Sequence, residues 1–198
     1  IGHHSHTHEY LIDMNKDQFV NDIETATKIF KDKLGYSPQI FSYPFGEYSL
    51  YMKKYISNNF KLAFGQHSGI IDINKDKFEL PRFPINEKYG KLKRFESLIN
   101  YSPLEYKVLK PEEKKLNNKN NPPKLIVEFF EEQKNIQFIN CYSNDGGNWK
   151  KSNLKFVSNI MTINFDEPFI PRRGRINCSL NENGKWKWFG TQFTIRPN

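Results

Sequence analysis

The sequence has little apolar residue and no long apolar run. Only 37% of its 198 residues are hydrophobic, and the mean hydropathy is −0.76. No stretch approaches the roughly 20 consecutive apolar residues of a membrane-spanning helix, so that class is excluded. Acid is in deficit: 22 Asp and Glu face 30 Lys and Arg, a net charge of +8. Residues 1–107 carry +2 of this and residues 108–198 carry +6. Neither half holds a dense basic stripe or a nucleic-acid motif, so the excess reads as solvated surface and no nucleic-acid partner is expected. Internal repeats and long low-complexity segments are absent. Aromatics are what the chain has instead, with 17 Phe, 10 Tyr and 3 Trp. Each buries a large area, enough to build a core from a lean apolar count.

Histidine is also sparse except in one place. Of five His, four (His3, His4, His6 and His8) fall in the first eight residues. The chain starts at Ile1 with no signal-like segment, so its N-terminus reads as cut. A helix follows: Asn15 is an N-cap with Gln18 three residues on, Phe19, Ile23, Ala26, Ile29 and Phe30 recur at helical spacing, and Gly35 is the stop. Strands are predicted at 39–43 and 61–65, a helix at 49–58, a short strand at 80–85 and a helix at 92–99. Helices alternating with short apolar strands indicate an α/β unit with parallel strands. Beyond residue 106 the composition changes. Residues 110–123 are charged, Asn-rich and closed by two prolines, as in a linker. Strands are then predicted at 125–129, 136–142, 154–157, 160–165, 175–180 and 186–195, separated by Asn- and Gly-rich turns, the pattern of an all-β sandwich.

His4 and His8 are four apart, and imidazoles are good zinc ligands, although a catalytic zinc needs a third ligand and an open position. By spacing alone the cluster is equally an expression tag or a flexible end that binds metal adventitiously. Gly2-His3-His4-Ser5, with His8 after it, resembles the second motif of the polysaccharide deacetylases, the NodB-homology family of carbohydrate esterases (family 4). Phe41-Ser42-Tyr43-Pro44-Phe45-Gly46 resembles that family's third motif, an aromatic-Pro-aromatic-Gly turn. Ala63 to Gly69 followed by Leu80-Pro81-Arg82-Phe83-Pro84 is similar to its late barrel strands, so the resemblance spans residues 1–106.

The resemblance implies a divalent metal, zinc, with His4 and His8 as ligands, activating a water that attacks the acetyl carbon of an N-acetylated sugar. It further implies that Phe45 offers its backbone N–H to the oxyanion, and that Tyr43, Pro44, Phe45 and Gly46 line the sugar groove. His67, at a strand-to-loop junction, is the candidate general acid, or a bystander. Arg82 is a candidate for the charge role of the Arg that the third motif carries where this chain has Ser42, or else an ordinary surface residue. The family's first motif, a strand end in Asp-Asp that supplies the base and the third ligand, has no counterpart here. Glu9 and Asp13 are poor substitutes.

Cys141 and Cys178 fall in separate predicted strands with Trp149 between them. Two readings stand: an inter-sheet disulfide packed on Trp, suited to an oxidising compartment, or two buried thiols. Residues 174–178 with 184–189 resemble the C-terminal extension of this deacetylase branch. Trp186 and Trp188 share a strand face, either stacking on sugar or, as the alternating Lys185 and Lys187 favour, filling the core.

The expected fold is α/β, a partial deacetylase-type β/α barrel (1–106), then a linker (107–123) and an all-β sandwich-like domain (124–198). The expected function is metal-dependent deacetylation of an N-acetylated polysaccharide in the bacterial cell envelope or periplasm, with this stretch inactive for want of the upstream Asp-Asp. The alternatives are a non-catalytic carbohydrate- or envelope-binding module, and a metal-binding protein of unrelated fold.

Overall fold

A computed structural model describes residues 1–197 and shows a mixed α/β protein that divides into two compact units. The first comprises residues 1–66 and 73–80; the second comprises 67–72 and the chain from Pro81 onward.

In the first unit, α1 (Lys16–Leu34) begins with the capping box read from the sequence. Gln18 N–H donates to Asn15 Oδ1 (2.9 Å), and Asn15 N–H donates to Gln18 Oε1 (3.0 Å). The helix ends where Gly35 turns left-handed and returns its N–H to Lys31 O. β1 (Ile40–Ser42), α2 (Leu50–Asn59) and β2 (Leu62–Phe64) follow, with Ser49 capping α2. β1 and β2 pair in parallel, Phe41 opposite Ala63. His3 adds a parallel bridge to Phe41 on one side, and Leu80 bridges Phe64 on the other. Among the described residues there is no closed barrel. The strand expected at 80–85 reduces to that single bridge, because Pro81 and Pro84 lack the N–H a ladder needs. Phe19, Ile23, Phe41, Tyr43, Tyr48, Met52, Ile56 and Phe60 form the core. The segment 73–80 is tied to α2 by Lys53, which pairs with Asp76 (2.7 Å) and Glu79 (2.9 Å), while Tyr48 OH donates to Glu79 (3.1 Å).

Among the described residues the second unit carries α3 (Leu92–Ile99) and ten strands: β3 (Ser102–Pro103), β4 (Val108–Lys110), β5 (Lys115–Leu116), β6 (Leu125–Glu128), β7 (Asn140–Ser143), β8 (Lys150–Lys151), β9 (Asn153–Val157), β10 (Ile160–Asn164), β11 (Arg172–Glu182) and β12 (Lys185–Ile195). One sheet runs β4-β6-β10-β9; the other runs β3-β12-β11-β7-β8, with β5 also on β12. Residues of both sheets enter one hydrophobic cluster, including Leu125, Val127, Met161, Ile163, Ile176, Leu180, Phe189 and Phe193. The stretch expected as a linker contributes β5, and its Leu116 lies in that cluster. No helix among the described residues is long and apolar enough to cross a membrane.

Cys141 and Cys178 are bonded, but not between sheets: they face one another across β7 and β11 of a single sheet. Trp149 is half exposed rather than packed in the interior. The Trp pair also departs from the expectation. Along β12 the odd residues Phe189, Phe193 and Ile195 supply the core, so Trp186 and Trp188 lie on the opposite face. Trp186 is 42% exposed, and Trp188 is covered by Tyr101 and Phe83. The Lys/Trp alternation marked two different faces, but near the hairpin tip the lysine face is the one that leads into the core. Lys187 is held there by Glu182 (2.7 Å).

Candidate active site

Residues 2–4 run beside β1: His3 N–H donates to Ile40 O (2.7 Å), and Ser42 N–H donates to His3 O (2.9 Å). Extended backbone sends successive side chains to opposite sides, so His3 and His4 part company. The His3 ring is fully buried among Phe30, Phe41 and Phe60. Its Nδ1 accepts from Ser5 N–H (3.2 Å), so Nε2 carries the proton and donates to Ile23 O (3.2 Å). Burial lowers its pKa, against the opposing bond to Ile23. His3 is thus a structural histidine.

His4 is exposed. Its Nδ1 lies 2.7 Å from Ser42 O, a carbonyl that can only accept, so Nδ1 holds the proton and Nε2 keeps its lone pair. A metal-ligating histidine is fixed in just this way, its second nitrogen donating to a backbone carbonyl. The His8 ring stands edge-on to His4, with centroids 4.8 Å apart. The loop between them is tightly wound: Ser5 and His8 both have left-handed backbone, at φ 65° and 57°. For residues with a Cβ each such conformation costs about 1–2 kcal/mol. Ser5 Oγ accepts the His8 N–H (2.9 Å).

The stronger anchor is Asp22, on the core-facing side of α1. His6 N–H donates to its Oδ1 (2.8 Å), while Thr7 N–H (3.0 Å) and Thr7 Oγ1 (2.7 Å) donate to Oδ2. Asp22 is only 4% exposed. Its sequence signal is its position, three residues after Phe19 and four before Ala26 on the apolar face, where a carboxylate requires partners.

Residues 44–46 form a 3-10 turn after β1, with Phe45 at φ 58° and Gly46 at φ 68°. Phe45 packs against His8 (4.9 Å) and stacks on Tyr10 (4.1 Å), a contact the sequence did not suggest. Tyr43, expected to line the sugar groove, instead turns wholly into the core against Phe41 and Tyr48. Burial drives its hydroxyl pKa far above the usual value. Pro44 and Gly46 are buried too, so Phe45 is the one side chain of the four with partial exposure. A Cβ on Gly46 would collide with the Gln66 backbone, which explains glycine there beyond its φ.

The structure therefore brings His4, His8 and Phe45 together. His67 and Arg82 belong to the second unit, where His67 is buried and its carbonyl accepts the Arg82 N–H (3.0 Å). As a donor set, His4 and His8 suit zinc as two of its ligands. No group of three or more His, Cys, Asp or Glu able to hold a metal occurs among the described residues.

Residues 1–62 match the family model for polysaccharide deacetylase, a span that holds His4, His8, Asp22 and the turn at Phe45. No curated protein and no solved structure matches the chain.

Proposed function

We propose that the first unit carries part of the active site of a zinc-dependent deacetylase of N-acetylated polysaccharides, which hydrolyses the amide C–N bond of the acetamido group. The observation that carries this reading is His4, with Nδ1 bonded to Ser42 O and Nε2 left to bind metal beside His8. The family match over residues 1–62 supports the substrate class. Bound zinc supplies an activated water and polarises the acetyl carbonyl. The chain's own residues do the rest. Phe45, held left-handed next to His8, presents its backbone to the acetyl oxygen and its ring to the sugar. The location proposed is a bacterial envelope compartment, which the Cys141–Cys178 disulfide favours.

Among the described residues no carboxylate joins the two imidazoles as a third ligand, which leaves the site incomplete. The 198-residue chain is expected to bind zinc and N-acetylated chitooligosaccharide but to release no acetate. Titration with the oligosaccharide tests this, with Phe45→Ala expected to lose binding. Acetate release above blank contradicts the incomplete site, and undetectable oligosaccharide binding contradicts the substrate assignment. A second reading, glycan binding by the second unit, draws on the exposure of Trp186 on a face outside the core. It requires that Trp186→Ala weaken capture of the full chain on a glycan resin.

A further inference from the structure

We infer that Asp22 is a positioning residue for the metal site, the group that presets the loop carrying His8 in ligand geometry. The inference rests on the proposed metal site and adds to it a residue that is not itself a ligand. His4 needs no such help, because β1 fixes it through Ser42 O and the backbone bonds of residue 3. His8 has no strand beneath it. It sits at the end of a loop with two left-handed residues, Ser5 and His8, which the loop keeps only if its neighbours hold it.

Asp22 provides that hold. Its Cα is fixed because α1 packs into the core through Phe19, Ile23 and Ala26. Both carboxylate oxygens face the loop, and both are used, by the N–H groups of His6 and Thr7 and by the Thr7 hydroxyl. Thr7 Oγ1 in turn accepts from Glu9 N–H (3.3 Å), so the carboxylate reaches both sides of His8. Every partner is a donor, so a carboxylate fits and an amide does not. With Asp22→Asn one oxygen becomes NH2 and points a donor at a donor. Outer partners of metal ligands are worth about 10–100-fold in metal affinity when removed.

The test is zinc affinity of the whole chain by calorimetry, with thermal melting followed alongside. Asp22→Asn is expected to weaken zinc binding at least tenfold while secondary structure persists, and Asp22→Glu to recover most of it. Thr7→Val, which leaves Asp22 and the helix untouched, is expected to give a smaller loss in the same direction. Should Asp22→Asn fail to fold, Thr7→Val decides alone. Wild-type affinity in Asp22→Asn, or in Thr7→Val where that variant decides, overturns the positioning role. His4→Ala separates the two levels: unchanged zinc binding there refutes the metal site itself, whereas loss there with none in Asp22→Asn refutes only the role of Asp22.

Discussion

Breaking the Cys141–Cys178 disulfide should destabilise the second unit and leave the first alone. The two cysteines are 37 residues apart, lie opposite one another in β7 and β11, and are fully buried in the shared core. Chain-entropy arguments for a closed loop of that size give about 4 kcal/mol. For a unit of this size that is a fall of roughly 15 °C in melting midpoint. The assay has a built-in reporter: Trp149, Trp186 and Trp188 are all the tryptophans of the chain, and all lie in the second unit. Urea unfolding followed by tryptophan fluorescence, compared between the oxidised protein and Cys141→Ala/Cys178→Ala, should show the loss. Reduced wild-type protein should move the same way. A fluorescence midpoint that shifts by less than the equivalent of about 1 kcal/mol would refute the placement of the bond as a cross-strand tie.

Three further outcomes follow from the same physical reading. Lys53→Met leaves Asp76 and Glu79 without their cation at a site where Lys53 is largely covered, and should cost about 2–3 kcal/mol by chemical denaturation. Gly46→Ala combines a left-handed φ with a collision at the Gln66 backbone, and should cost about 3 kcal/mol or abolish soluble expression, whereas Gly35→Ala, equally left-handed but in open space, should cost about 1 kcal/mol. Asp145 supplies a pH dependence. Burial by itself raises its pKa, but bonds from Ser143 and Lys150 outweigh burial and hold the carboxyl below its ordinary 3.8. Its contribution is therefore present above about pH 4 and is lost as pH falls through the lower folded value. Fluorescence-detected urea curves of wild type and Asp145→Asn should accordingly be well separated at about pH 6 and draw together as the pH falls below 3.8.

Much of the first unit was legible because its signals are local. The Asn15–Gln18 box, the apolar spacing of α1, Gly35 and Ser49 each fix a helix end or face within a few residues. The second unit was legible in its long strands, since β11 and β12 declare themselves by turn and alternation. Its short strands were not: β3, β5 and β8 have two residues each and exist only through partners distant in sequence. The direction of a face is likewise a tertiary property: the Trp/Lys alternation of β12 separates two faces without saying which of them meets the core. At the site, spacing drew attention to His4 and His8, and the family resemblance to Phe45. They could not tell that Tyr43 points inward, or that a helix residue 14 positions after His8 would grip the loop, because both follow from how α1 and β1 pack.

In the proposed site His4 and His8, and none of the other three histidines, form the metal pair. Nitrogen-15 NMR of the five imidazoles during zinc titration tests it directly. Saturable shifts are expected at His4 and His8, with His4 coordinating through Nε2 because Nδ1 is bonded to Ser42, while His3, His6 and His67 stay unmoved. No saturable shift, or a response centred on His6 with His4 unchanged, would contradict it.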